Sequence, residues 1–223
     1  DNINHIMAEM LVFVSMLGQN LKSNGIVTAE LRSKDSEVEV IVVDFMYPGK
    51  IRACCHYNKD SLAEIHNKNF TELFTNGTLM ITADIGDNAK RYQGIVQISS
   101  DSLLESVMEY MRSSQQINSA IKVVVKQDKL IWRAGGVMLQ RLPELDQVKL
   151  EDSDDWQRVC QFIATLQEKE LLLDNISLEE LLFRLFHQDE VLIFNPNPVE
   201  HKCRCSREKM QKIINSMPLI EKE

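Results

Sequence analysis

Ile26-Val27-Thr28-Ala29-Glu30-Leu31-Arg32, Val38-Glu39-Val40-Ile41-Val42-Val43-Asp44-Phe45 and Ile51-Arg52-Ala53-Cys54-Cys55-His56-Tyr57 are three β-rich runs set close together. Ser33-Lys34-Asp35-Ser36 and Tyr47-Pro48-Gly49-Lys50 separate them, and both stretches carry turn residues. Such short links cannot carry the crossover that parallel neighbours need, so the runs predict antiparallel pairing. Two more runs, Thr78–Ala83 and Tyr92–Ile98, read as a hairpin across Gly86-Asp87-Asn88, after a polar, irregular stretch. Ala120–Lys126 and Leu130–Ala134 form another around Gln127-Asp128-Lys129, with Gly135-Gly136 then leading into an apolar run that ends at Leu142-Pro143.

Helices frame these strands. Met7, Met10, Val14, Leu17 and Leu21 share one face of an N-terminal helix that Asn24-Gly25 stops. Its apolar run Met10–Leu17 is not a signal peptide: Asp1 and Glu9 precede it and no basic n-region does. Ser102-Leu103-Leu104-Glu105 is a capping-box signature opening a helix to about Gln116. The first portion therefore reads as a mixed α/β domain with a largely antiparallel sheet.

Near residue 144 the character changes to acidic and leucine-rich. Ser153-Asp154-Asp155 starts a helix with Trp156, Val159, Cys160, Ile163 and Leu166 inward, and Ser177-Leu178-Glu179-Glu180 caps another carrying Leu181, Leu182, Leu185 and Phe186. These helices are too few for a core of their own and are expected to lie on the α/β domain. Asn195-Pro196-Asn197-Pro198 then breaks regularity.

The 223 residues are 44% hydrophobic and 26% charged, an ordinary globular composition. A net charge of −8 argues against nucleic-acid phosphates as partner. Five cysteines without regular spacing do not make a secreted disulfide framework, which favours a reducing cytoplasm. No stretch is long and apolar enough to span a bilayer as a helix.

Chemistry concentrates at His201-Lys202-Cys203-Arg204-Cys205-Ser206-Arg207-Glu208. Basic neighbours and a following helix N-terminus both favour thiolate, the form that ligates metal and meets oxidants. Cys203 and Cys205 could both reach one zinc ion as half of a four-ligand site, with His201 a further candidate ligand. Pattern alone leaves zinc binding, redox function and two plain surface thiols open.

The remaining candidates read as structural. Cys160 packs as a small core residue on its helix. Cys54 and Cys55, adjacent in a strand, point to opposite faces, one buried and one partly exposed. His5, His56 and His66 have no ligand-like neighbours, and His187 sits near a helix end where a cation meets the dipole. With no G-x-x-x-x-G-K-[ST], Gly49-Lys50 is a turn rather than a phosphate cradle. No Ser/His/Asp or H-E-x-x-H arrangement supports an enzyme.

Longer strings carry a resemblance. Arg91-Tyr92-Gln93-Gly94-Ile95-Val96, Ala134-Gly135-Gly136-Val137-Met138-Leu139-Gln140, Asp155-Trp156-Gln157-Arg158-Val159, Leu185-Phe186-His187 and the segment from Pro196 to Glu208 occur in this order. The chain so resembles the bacterial redox-regulated heat-shock chaperones, the 33 kDa chaperonins. That resemblance implies an α+β architecture: an N-terminal chaperone core at 1–145, a helical linker packed on it at 146–198, and the start of a C-terminal zinc-binding redox-switch module at 199–223. It implies an ATP-independent holdase that binds unfolding clients under oxidative stress. Such a protein is zinc-bound and inactive when reduced, is activated by disulfide formation and zinc release, and can dimerise once activated. Cys203 and Cys205 match the family's C-x-C, as zinc ligands and as redox-active cysteines. Its later C-x-x-C has no counterpart here, so the module reads as truncated and the chain as lacking both natural ends.

Two other readings use the same residues. One is a thiol-disulfide oxidoreductase working through Cys203 and Cys205, although such enzymes favour C-x-x-C. The other is a constitutive zinc-ribbon adaptor that binds through Lys202, Arg204, Arg207 and Lys209.

Overall fold

Five of the seven β-runs, with one short late strand, build a six-stranded sheet in the order β5-β4-β1-β2-β3-β8. This is seen in a computed structural model that describes residues 2–21, 24–34, 36–85, 91–142, 154–173, 175–203 and 205–218. The strands are β1 (Ile26–Arg32), β2 (Val38–Met46), β3 (Lys50–Tyr57), β4 (Thr78–Asp84), β5 (Tyr92–Gln97) and the two-residue β8 (Glu200–His201). All neighbours from β5 to β3 are antiparallel, as the short links require, and β8 alone is parallel. The turn expected between β4 and β5, at Gly86-Asp87-Asn88, lies outside the described residues.

Period-2 alternation puts one face of this sheet in the core: Val27, Ala29 and Leu31 of β1 are buried, with Ile41, Val43 and Phe45 of β2 beside them. Helix α1 (Asn2–Gly18) covers that face with Ile3, Ile6, Met10, Phe13 and Val14, and α4 (Leu103–Ser113) adds Leu103, Val107, Tyr110 and Met111. The inward face of α1 is thus centred on Phe13 and Met10, with Met7, Leu17 and Leu21 only partly buried at its border. Each fully buried Leu, Ile, Phe or Met contributes about 1.5–3 kcal/mol, so this cluster dominates the folding of the first portion. Helix α1 ends at Gly18, earlier than the Asn24-Gly25 signal suggested. Helix α4 also stops early, at Ser113, where Gln116 takes φ 56° and the Ile117 N–H closes onto the Met111 carbonyl.

The polar stretch after β3 is not irregular throughout. It holds α2 (Leu62–Asn67) and α3 (Phe70–Leu73), and α3 opens with a full capping box between Asn69 and Glu72.

A separate hairpin, β6 (Ser119–Asp128) and β7 (Ile131–Gln140), forms a two-stranded sheet. The second strand runs through Gly135-Gly136, so the pair is no break. A Cβ on Gly135 would stand 2.1 Å from the Leu171 carbonyl oxygen, and one on Gly136 would meet Val12 of α1 at 2.8 Å. The glycines are there because backbone and helix approach the strand closely from two sides.

On the Gly135 side lie α5 (Asp154–Thr165), α6 (Glu168–Leu171) and α7 (Leu178–Phe186). Ile163, Leu166, Leu171 and Leu181 are buried there against Ala120, Val124, Val137 and Leu139 of the hairpin. Polar ties fix the contact. Lys122 Nζ donates to the carbonyls of Ala164 (2.7 Å) and Leu166 (2.6 Å) at the end of α5, and Arg133 Nη2 donates to Leu172 O at 2.7 Å. Arg158 Nη1 and Nη2 donate to the two carboxylate oxygens of Asp189, at 3.1 and 2.8 Å, which joins α5 to the chain beyond α7. The helices therefore do lie on the β-structure, with the hairpin as their partner. The expected boundary near residue 145 lies outside the described residues.

Candidate functional site

From His187 to Val199 the chain is exposed and has no regular structure, as the Asn-Pro repeats dictate. It is then drawn onto the edge of the sheet. Asn197 Nδ2 donates to Gln19 Oε1 at 2.8 Å, and the Pro198 carbonyl lies over Gly49, where a Cβ would be only 2.0 Å away. The Glu200 N–H then donates to Gly49 O and the Lys202 N–H to Ile51 O, each at 2.9 Å. These bonds set β8 parallel to the start of β3 and carry Cys203 and Cys205 alongside Arg52.

Arg52 is anchored from the sheet. It faces Asp44 across the β2–β3 register, and its Nε donates to Asp44 Oδ2 at 2.5 Å while Thr28 Oγ1 donates to Oδ1 at 2.7 Å. The Asp44 side chain is 4% exposed and that of Arg52 is 29% exposed, so the guanidinium reaches from a buried carboxylate to the surface. Its Nη1 donates to Cys205 Sγ at 3.4 Å. The Cys205 N–H in turn donates to Cys203 Sγ at 3.4 Å. Burial works against the Arg52 charge, yet Asp44 and the two sulfurs more than offset this and hold it protonated.

The Cys203 thiol is pulled below the ordinary thiol range by the Cys205 backbone N–H first, then the Cys205 side chain, then Arg52. The shift runs toward thiolate, and its sources differ from the sequence-local ones. The touching cation is Arg52 of β3, which the local reading missed. His201, Lys202 and Arg207 are exposed, and Arg204 lies outside the described residues. Helix α8 (Arg207–Ser216) begins beyond Ser206, and its first turn favours its own Glu208 carboxylate, held below the usual range by the Glu208 backbone and by Ser206.

Both thiols are exposed and unbridged. Their sulfurs suit a soft divalent metal, but two donors do not close a tetrahedral site, and His201 does not complete it. Among the described residues no three His, Cys, Asp or Glu side chains gather as a metal cluster.

The other candidates fall where a structural role puts them. Cys54 is exposed on β3, whereas Cys55 packs toward the core, and burial followed by neighbouring Cys54 pushes its thiol up to about 11. Cys160 is half-buried, and burial raises its thiol as well. His56 faces Glu39 at 3.1 Å and His5 faces Glu9 at 3.5 Å. No described helix is long and apolar enough to cross a membrane.

A family model described as Hsp33 protein matches residues 1–223. The 33 kDa chaperonin of Caulobacter vibrioides is 27% identical over 228 residues, covering 98% of this chain and 74% of that protein. That of Aeromonas salmonicida is 30% identical over 221 residues, covering 99% and 71%. The crystal structure of the 33 kDa chaperonin from Thermotoga maritima superposes with a TM-score of 0.77 at 18% identity, over 97% of this chain and 73% of that one, and so shares its fold. With its whole length matched, the chain belongs to the Hsp33 family, a family of chaperones rather than enzymes.

Proposed function

We propose that this chaperone is a redox-regulated holdase that works without ATP in a reducing cytoplasm, and that Cys203 and Cys205 are its switch. The observation that carries this is the pairing of two exposed thiols with Arg52, a guanidinium rooted in the sheet through Asp44.

The docking is slight. Two residue pairs join β8 to β3, and each ladder bond contributes only about 0.5–1.5 kcal/mol net. The contact between Arg52 and the sulfurs therefore decides whether the tail stays. When peroxide oxidises one thiolate to a sulfenic acid, the peroxide leaves as water, and a second thiol then displaces a further water to form a disulfide. The two electrons come from the sulfurs, which then carry no charge for Arg52 to hold. The segment Pro198–Lys202 loses its anchor, and the exposed Val191-Leu192-Ile193-Phe194 run next to it becomes free to move.

In the reduced state the same two sulfurs would supply two of the four ligands of a zinc site. Zinc bound there would cross-link the tail. Released, the tail and linker expose apolar surface to unfolding clients, and the activated chains can pair as homodimers.

The test is aggregation of a heat-unfolding protein followed by light scattering. Peroxide with mild heat is expected to switch suppression on, and reductant with zinc to switch it off. Equal suppression in both states refutes the regulation.

A further inference from the structure

Strand β3 is the last full strand at its edge of the sheet, and β8 covers only Lys50 and Ile51. The outward carbonyls of Gly49 and Ile51 receive the tail. Alternation turns the N–H and C=O of Ala53, Cys55 and Tyr57 to that same side, where none of the described residues bonds to them. Their side chains pack on the core, so this backbone is held rigidly in extended form. From Ala53 to Tyr57 there is no Pro, Lys, Asp or Glu, the residues by which an open edge is usually blunted. This same edge already receives an extended polypeptide, the stretch Pro198–Lys202.

We propose that the outer edge of β3, from Ile51 to Tyr57, is where an extended apolar segment of a client polypeptide adds as a further strand, in competition with β8. Backbone pairing asks little of the added sequence, which suits a chaperone that must take unrelated chains. The inference rests on the proposed release of the tail only for its timing, because mutation can free the edge without oxidation.

The test uses the full chain, reduced, with a fluorescent ten-residue peptide of alternating Val and Thr and its twin N-methylated at alternate residues. Glu200→Pro removes the N–H that Gly49 receives. It is expected to bind the peptide about tenfold more tightly than the parent, a change of about 1.4 kcal/mol. Amide exchange at Ala53, Cys55 and Tyr57 should slow on binding, and the methylated twin should not bind. Adding Ala53→Pro, which deletes one outward N–H and leaves the inner ladder intact, should restore weak binding, whereas Ala53→Val should not.

Equal binding of the twin, or unchanged exchange at those three amides with peptide bound, overturns the proposal. So does slowed exchange in E200P without peptide that grows with protein concentration, which would make the occupant a second copy of the chain. If E200P takes the peptide on this edge while peroxide fails to activate the parent, the redox reading falls and the docking edge stands.

Discussion

Arg52 and Cys205 lie 153 residues apart in sequence, yet Arg52 Nη1 donates to Cys205 Sγ at 3.4 Å while its Nε is held by Asp44. One side chain thus joins the interior of the main sheet to the thiols of the tail. Its two ends do different work, and mutation separates them.

Arg52→Gln leaves the Asp44 carboxylate buried without its cation. Breaking a buried pair costs about 3–5 kcal/mol, and the partial exposure of Arg52 places this one near the low end. Arg52→Lys keeps a charge for Asp44 but loses the fork that reaches the sulfur. Urea unfolding should show R52Q well below the parent and R52K close to it. Both should suppress aggregation without peroxide. Parental inactivity of reduced R52K would remove Arg52 from the switch.

Gly49→Ala tests the docking with Arg52 and both cysteines untouched. The new methyl would sit 2.0 Å from the Pro198 carbonyl, so the tail must shift off the turn. G49A is expected to keep the parental unfolding midpoint within about 1 kcal/mol, since the clash lies outside both cores. It should also make the Lys202 amide exchange fast in reduced protein. Unchanged exchange at Lys202 would show that the tail does not depend on this approach.

Glu9 sits on α1, and burial raises its carboxyl above the ordinary range, with His5 opposing. A folded-state value above the unfolded one means the fold disfavours the charged form. The penalty is full above the folded-state value and fades as pH falls through it. Glu9→Gln should therefore raise the melting temperature at pH 7, by about 2–4 °C per kcal/mol for a chain of this size. The gap should narrow as pH falls toward 4.5. An equal gap at both pH values would contradict the burial account.

Much of this was legible in the chain. The runs of β1, β2 and β3 and their short links gave the antiparallel sheet, and Ser177 with Glu180 marked the start of α7. Asn69 and Glu72 carried an equally readable capping box, overlooked because α3 has only four residues. The expected strand ends at Ala134, short of Gly135-Gly136, because the cause of these glycines is tertiary: the Leu171 carbonyl and Val12 press on the strand from elements remote in sequence. Arg52 was missed for the same reason. Its alignment with Asp44 follows from register, but its meeting with Cys205 depends on a parallel two-residue strand that no local pattern announces.

Hydrogen exchange at the Glu200 and Lys202 amides, measured alongside aggregation suppression before and after peroxide, tests the switch most directly. The account predicts that both amides lose their protection as suppression appears. Full suppression with both amides still protected would contradict it.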